Sequence, residues 1–296
     1  MSAASDISKA YRVDHGRKFR LKDFDPADTS GVKSKKHAEK ELPRGLERMV
    51  ELQDMLYAQD RWAILIILQA IDAAGKDGVI SHVMSGVNPQ GCQVFSFKQP
   101  SAEELDHDFM WRSTKCIPER GRIGIFNRSY YEEVLVVRVH KEMLERERMP
   151  PSLVTKNIWN ERFADINAYE HYLSRNGIVI RKFFLNLSKE EQKKRFLKRL
   201  DQPAKNWKFS TADITERERW SDYMTAYEEM IQHTAAPHAP WYVVPADNKW
   251  YTRLVVSAAI IDALEQLNLH YPVVDAAKRK ELKAARIALE HEGEHH

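Results

Sequence analysis

Cysteine is almost absent: Cys92 and Cys116 are the only two among 296 residues, and their separation matches no metal-ligand spacing. That excludes a disulfide-stapled or zinc-stapled scaffold and leaves two reduced, buried thiols as the expectation. No apolar run approaches the roughly 20 residues that span a bilayer. The opening residues, M-S-A-A-S-D, lack the basic-then-apolar pattern of a signal peptide, so the expectation is a cytoplasmic chain with no membrane partner. Net charge is scarce as well. With 46 Lys and Arg against 43 Asp and Glu the chain carries +3, too little to mark a partner, so only local clustering of cations is informative. Internal repeats and low-complexity linkers are also missing. What remains is a globular composition, 43% hydrophobic, enough in 34.5 kDa for one large α/β core or two small ones.

One stretch organises the rest: residues 62–78, W-A-I-L-I-I-L-Q-A-I-D-A-A-G-K-D-G. Six consecutive apolar residues, 63–68, have the pattern of a strand buried on both faces at the centre of a parallel sheet. Asp72, Gly75, Lys76, Asp77 and Gly78 then break the run before a helix expected over 79–85. A strand-to-helix junction aims backbone N–H groups and partial positive charge at its occupant, and phosphate is the natural one. Gly75 permits close backbone approach, and Lys76 supplies a point charge. The match to G-x-x-x-x-G-K-[ST] is incomplete: its first position falls on Ala70, and Asp77 replaces the hydroxyl residue that ordinarily holds Mg²⁺. The expected metal ligand therefore moves to carboxylates, Asp72 first and Asp77 second. By itself, G-K after an apolar strand fits an ordinary turn with an exposed lysine equally well.

Residues 1–45 are polar and charge-rich and read as a solvated arm; from 46 to 57, apolar positions at helical spacing lead into the first strand. Residues 93–97 alternate like a second strand, and Ser101 with Glu104 has capping-box spacing for the next helix. A third strand over 122–126 ends in N-R-S-Y-Y-E-E, placing a second polar cluster at the edge where open α/β sheets bind ligands. The apolar run 134–140 is assigned to helix, although its pattern fits either state. A helix over 155–174, strands over 178–187 and 241–244, and helices over 213–233 and 248–267 continue the alternation. The charged stretch 276–292 reads as a last helix, with His291, His295 and His296 as tail rather than ligands.

Between the fourth and fifth strands, Ser188 and Glu191 have capping-box spacing. Lys193, Lys194, Arg195, Lys198, Arg199, Lys205 and Lys208 then place seven cations in the sixteen positions 193–208, interrupted by Pro203. Beside a sheet edge expected to bind phosphate, this reads as a lid over about 188–220. The duller readings are a solvated face for Lys193 and Lys194, and a Glu191–Arg195 helix pair worth about 0.3–0.5 kcal/mol. The whole is α/β, a doubly wound parallel five-stranded sheet in one domain with a helical lid.

The pieces D-A-A-G-K-D-G, E-E-L-D-H-D-F-M-W-R (103–112), R-G-R-I-G-I-F-N-R-S-Y-Y-E-E-V (120–134), K-N-W-K-F-S (205–210) and P-A-D-N-K-W-Y (245–251) resemble the type 2 polyphosphate kinase family in order and spacing. The resemblance implies a P-loop-kinase-like fold, with a catalytic domain over 46–270 between the N-terminal arm and a charged C-terminal helix and tail, 271–296. It also implies a homodimer or homotetramer and reversible, Mg²⁺-dependent phosphoryl transfer between inorganic polyphosphate and nucleotides: AMP to ADP, and ADP or GDP to ATP or GTP. Asp72, Ala73, Ala74, Gly75, Lys76, Asp77 and Gly78 correspond to the family's Walker A element, Asn127 and Arg128 to its Walker B element. Many relatives have aspartate before that arginine. Asn127 lacks the charge to neutralise a cation, so Mg²⁺ would lean on Asp72. The N-R-S-Y-Y-E-E version resembles the subgroup that phosphorylates both mono- and diphosphates.

Phosphoryl transfer asks a protein for positioning and charge neutralisation rather than covalent chemistry. The expected roles follow: Asp72 on the metal, Lys76 and Arg128 flanking the transferred group, Arg195 and Arg199 closing over it, and Lys198, Lys205 and Lys208 tracking the polyanion. Phosphate contacts are assigned to the loop 73–78, nucleotide contacts to Asn127, Arg128, Glu132, Glu133 and Trp207. The alternatives are helix capping or cation binding for the glutamates and lid anchoring for Trp207. His107 reads as a packing residue, because transfer between phosphates needs no histidine. A conventional ATP-dependent nucleotide kinase remains, although it should carry Ser or Thr at position 77. A nucleic-acid binder ranks below it, since the net charge is low and no nucleic-acid fold signature appears.

Overall fold

The computed structural model describes residues 3–30, 32, 35–207 and 209–292, the side chains of 3–5 and 35–43 excepted; Lys208, His295 and His296, named above, lie outside the described residues. Six strands form one sheet: β1 (Arg12–Val13), β2 (Ala63–Gln69), β3 (Cys92–Ser96), β4 (Ile123–Asn127), β5 (Ile178–Asn186) and β6 (Trp241–Pro245). Their spatial order is β1-β6-β5-β2-β4-β3, parallel throughout except for β1, which runs antiparallel to β6. β2 is buried at all seven positions, as its uninterrupted apolar run requires. Each of its large aliphatic side chains stabilises the fold by about 1.5–3 kcal/mol relative to exposure. From β2 the chain goes to the far edge, returns to β4 and crosses to β5 on the other side. The winding therefore reverses around β2 and leaves a crevice at its C-terminal end.

Neighbouring residues of β5 reveal how helices cover the two faces, because successive strand side chains point to opposite sides. Lys182 Nζ donates to Glu170 Oε2 (2.6 Å) on helix Ile158–Arg175 and to the Thr234 carbonyl (2.8 Å) at the end of helix Trp220–Thr234. Arg181 Nη2 instead donates to Gln266 (3.3 Å), just beyond helix Lys249–Glu265. That closing helix packs in turn on helix Lys35–Gln59. Lys182 and Glu170 are wholly buried, and the hydroxyls of Tyr130 and Tyr131 also donate to Glu170, so this internal charge pair is fully hydrogen-bonded.

The sequence reading falls short at the edge. The sheet has six strands rather than five, and the sixth, β1, comes from residues read as a solvated arm. Two residues are too few to show strand periodicity. Tertiary contacts hold it: Tyr11, Val13, Phe19 and Leu21 are buried, and the Val243 N–H donates to the Tyr11 carbonyl (2.9 Å). The Tyr11 hydroxyl donates to Asp28 (2.6 Å) and lies 2.8 Å from that of Tyr251 on the closing helix. Elsewhere the differences are local. The expected helix over 213–233 is two helices, Ala212–Glu218 and Trp220–Thr234, and 134–140 holds one α-turn, Val136–Val139. The capping box at Ser101 is complete. At Ser188 only the hydroxyl half forms, because the Glu191 carboxylate turns to Arg195. Both cysteines are free, and half-buried rather than buried. Helix Ala276–Glu290 is exposed along its length, and none of the described helices is long and apolar enough to cross a membrane.

Candidate active site

The loop after β2 presents its backbone to the crevice. Ala73 (φ 65°) and Gly75 (φ 105°) are both left-handed. Glycine enters that region freely, whereas an alanine is held there at a cost of about 1–2 kcal/mol. What holds Ala73 is helix Lys189–Leu200, whose Arg195 lies buried beneath the loop. Arg195 donates from Nη1 to the carbonyls of Ala73 (3.1 Å) and Ala74 (2.8 Å), and from Nη2 to those of Ala246 (2.6 Å) and Asp247 (3.1 Å). Its Nε donates to Glu191 (3.0 Å). Helix Lys76–Val83 starts directly after the loop, and Lys76 Nζ donates to the Ala70 carbonyl at 2.7 Å. Burial first and Arg128 second push the Lys76 ammonium down to about 8, against the pull of Asp72, Glu132 and Asp77.

The second polar cluster stands beside the first, because β2 and β4 are in register up to Leu68 opposite Asn127 and the Arg128 N–H donates to the Leu68 carbonyl (3.0 Å). The Arg128 guanidinium bridges Asp72 (3.1 Å) and Glu132 (3.2 Å), which together hold it protonated despite burial, Glu132 more than Asp72. Asn127 Nδ2 donates to Asp77 Oδ1 at 2.8 Å, so the amide secures the carboxylate of the loop. Asp72 keeps about a third of its side chain exposed. Among the described residues no three His, Cys, Asp or Glu side chains gather as a metal cage.

These groups open into a cleft of about 870 Å³ lined by nine lysines and arginines and only two aspartates. Asp72, Ala73, Ala74, Gly75, Lys76, Asp77 and Gly78 line it, as do Asn127, Arg128, Arg195, Lys198, Arg199, Lys205 and Trp207. Among the described residues Lys98, Lys198, Lys205, Lys249 and Arg253 form no ion pair there. Burial, then Arg195, Lys198, Lys205 and Arg253, push the Lys249 ammonium down, the mark of cations gathered with too little anion.

A smaller pocket of about 240 Å³ adjoins the cleft through Lys98, Gln99 and Arg128, and Phe109, Val136, Val137 and Met143 give it apolar walls. Glu132 and Glu133 line this pocket. Glu133 is buried against Arg112 (3.2 Å) and Arg162 (3.7 Å); burial and then Glu147 push its carboxyl up to about 7 against the two arginines. His107 stacks on Trp111 at 3.8 Å between ring centroids, the packing contact expected of it.

Two expectations change. Arg195 does not close over a ligand, because four carbonyls and Glu191 already take its donors. Trp207 and Asn127, expected with the nucleotide, line the cleft and not the smaller pocket; Trp207 is 77% exposed with its indole N–H on the Ala204 carbonyl, and the Asn127 amide is on Asp77. Arg199 stands 3.9 Å from Asp213 and against the Phe196 ring. Sequence reasoning missed Lys98, Lys249 and Arg253. The last two lie four apart on one face of the closing helix, and the signals were that spacing and the place of Lys249 in the motif P-A-D-N-K-W-Y.

The sequence profile described as Polyphosphate kinase 2 matches residues 32–272. The chain is 53% identical over 283 residues to an ADP-polyphosphate phosphotransferase of Rhodopseudomonas palustris, covering 95% of this chain and 98% of the relative. An AMP/ADP-polyphosphate phosphotransferase of Meiothermus ruber is 43% identical over 273 residues, 92% of this chain and 98% of that one. Among solved structures, polyphosphate kinase 2 from Arthrobacter aurescens superposes with a TM-score of 0.86 at 40% identity, covering 96% of this chain and 99% of that chain.

Proposed function

The chain belongs to the polyphosphate kinase 2 family, and from that membership we propose that it transfers phosphoryl groups between inorganic polyphosphate and nucleoside mono- and diphosphates. The observation that carries the reading is the row of cations without ion pairs along the cleft, since a repeating polyanion needs distributed positive charge where a triphosphate needs one cradle. Lys198, Lys205, Lys249 and Arg253 hold the donor chain. The loop N–H groups and Lys76 receive its terminal phosphate. The nucleotide base enters the smaller pocket, beside Glu132 and Glu133, and its phosphates reach Arg128 where pocket and cleft meet. Lys76 and Arg128 then neutralise the charge of the transferred group from two sides.

Asp72 is the residue that would hold Mg²⁺. The donor set fits, because Mg²⁺ uses one or two carboxylates and takes its remaining ligands from phosphate and water, and Asp72 stands partly exposed at the foot of the cleft. When bound, the cation would neutralise phosphate oxygens. Asp77 is the weaker candidate, being secured by Asn127. The protein's expected setting is the cytoplasm, as a homodimer or homotetramer.

The test measures product formation from AMP, ADP and GDP separately with long-chain polyphosphate and Mg²⁺, with Lys76→Ala as control. ATP from ADP together with ADP from AMP supports the dual-acceptor reading. Activity on diphosphates alone removes the monophosphate acceptor, and transfer from ATP but not from polyphosphate replaces the reading with a conventional nucleotide kinase.

A further inference from the structure

We infer that Gln192 is a positioning residue that couples the segment Ala212–Glu218 to the phosphate loop through Arg217; the inference rests on the cleft being the phosphate site. Gln192 is 1% exposed, and its amide is held by two hydrogen bonds within the protein, one through each end. Its Nε2 donates to the carbonyl of Asp72 at 3.0 Å, and its Oε1 accepts from Arg217 Nη1 at 2.8 Å. The same Nη1 donates to the Lys189 carbonyl at 2.7 Å, which fixes the guanidinium at the start of the bracing helix. Gln192 and Arg195 lie three apart on one helix face and between them hold three successive carbonyls, those of Asp72, Ala73 and Ala74. The left-handed turn at Ala73 is therefore specified from below, and with it the direction of the Asp72 side chain.

The coupling follows from what else Ala212–Glu218 carries. Its Asp213 faces Arg199, which lines the cleft, at 3.9 Å, so the same short helix meets a cleft cation through Asp213 and the loop through Arg217 and Gln192. A polyanion that draws Arg199 away from Asp213 acts on the helix that holds Arg217. By reciprocity, the position of that helix biases the amide plane of Asp72. Arg217 makes no hydrogen bond to the loop, so any effect of its removal on the loop must pass through Gln192 or the bracing helix.

The experiment compares Arg217→Ala, Gln192→Met and the double variant, reading amide exchange in the ligand-free protein and steady-state kinetics with polyphosphate and ADP. Each single change should speed exchange of the amides in 72–79 and lower kcat by about 5-fold or more, with the KM for ADP unchanged. The double variant should be no worse than the worse single one, because both changes cut one chain of bonds. Gln192→Glu, which keeps an acceptor for Arg217 but cannot donate to Asp72, should behave like Gln192→Met. Loop exchange and kcat per folded molecule equal to the unmodified protein in Arg217→Ala would overturn the inference, and so would losses that multiply in the double variant. If Gln192→Met does not fold, Gln192→Glu takes its place in the comparison with Arg217→Ala, and loop exchange and kcat equal to the unmodified protein in either would overturn the inference. Failure of the polyphosphate reading would appear separately, as an unmodified protein without transfer, while the exchange measurement still tests the coupling.

Discussion

Arg195 and Arg253 reach one cleft from two helices, and the contrast between them separates two uses of the same group. Arg195 has its donors on four backbone carbonyls and Glu191, whereas Arg253 forms no ion pair among the described residues. A cation can meet a ligand only where the fold leaves its donors open; where it does not, the same charge shapes the backbone that the ligand meets. Lys76 combines both, bonded to the Ala70 carbonyl and standing in the cleft.

The largest expected effect falls on that intermediate case. Lys76→Ala should lower kcat about 10²–10³-fold, as loss of one preorganised charge donor does, with little change in Tm. Arg195→Lys should act on stability instead. It keeps the charge but loses the planar fork, leaving buried carbonyls without donors at about 1–3 kcal/mol in urea unfolding. If it raised the KM for polyphosphate and left unfolding untouched, the distinction drawn above would collapse.

The pH profile sharpens the comparison further. With the Lys76 ammonium at about 8 in the free protein, raising the pH through 8 removes its charge, so kcat/KM should fall about tenfold by pH 9. The stability linkage runs the other way. The depressed folded value leaves the unfolded chain with more bound protons between about 8 and 10.5, so this group's contribution to stability rises across that window. Activity falling while Tm holds would separate this titration from alkaline unfolding. Smaller still, Arg253→Ala should raise the KM for polyphosphate about 5-fold and flatten its salt dependence, with unfolding free energy within about 0.5 kcal/mol of the parent. Michaelis constants measured across an ionic-strength series check it.

The sequence made the centre of this molecule legible and its edges not. β2 and its loop announced themselves because an unbroken aliphatic run followed by glycine and lysine has few structural meanings, and the register of β2 with β4 then made neighbours of the two polar turns. β1 gave no signal, since two residues cannot show a period and their stability comes from Tyr251 and β6, far along the chain. Arg195 looked like the other cations of its helix because the backbone carbonyls that hold it leave no trace in side-chain pattern. Lys249 and Arg253 were obscured for the opposite reason: their helix is otherwise so apolar that it reads as core.

The antiparallel edge also has a consequence in time. Arg12 and Tyr242, partners across β1 and β6, are 230 positions apart, so a ribosome adding about 5–20 residues per second delivers the second strand roughly 10–50 s after the first. During that interval β1 lacks the β6 edge it pairs with, although β2 to β5 have already been made, so this strand docks long after its own synthesis.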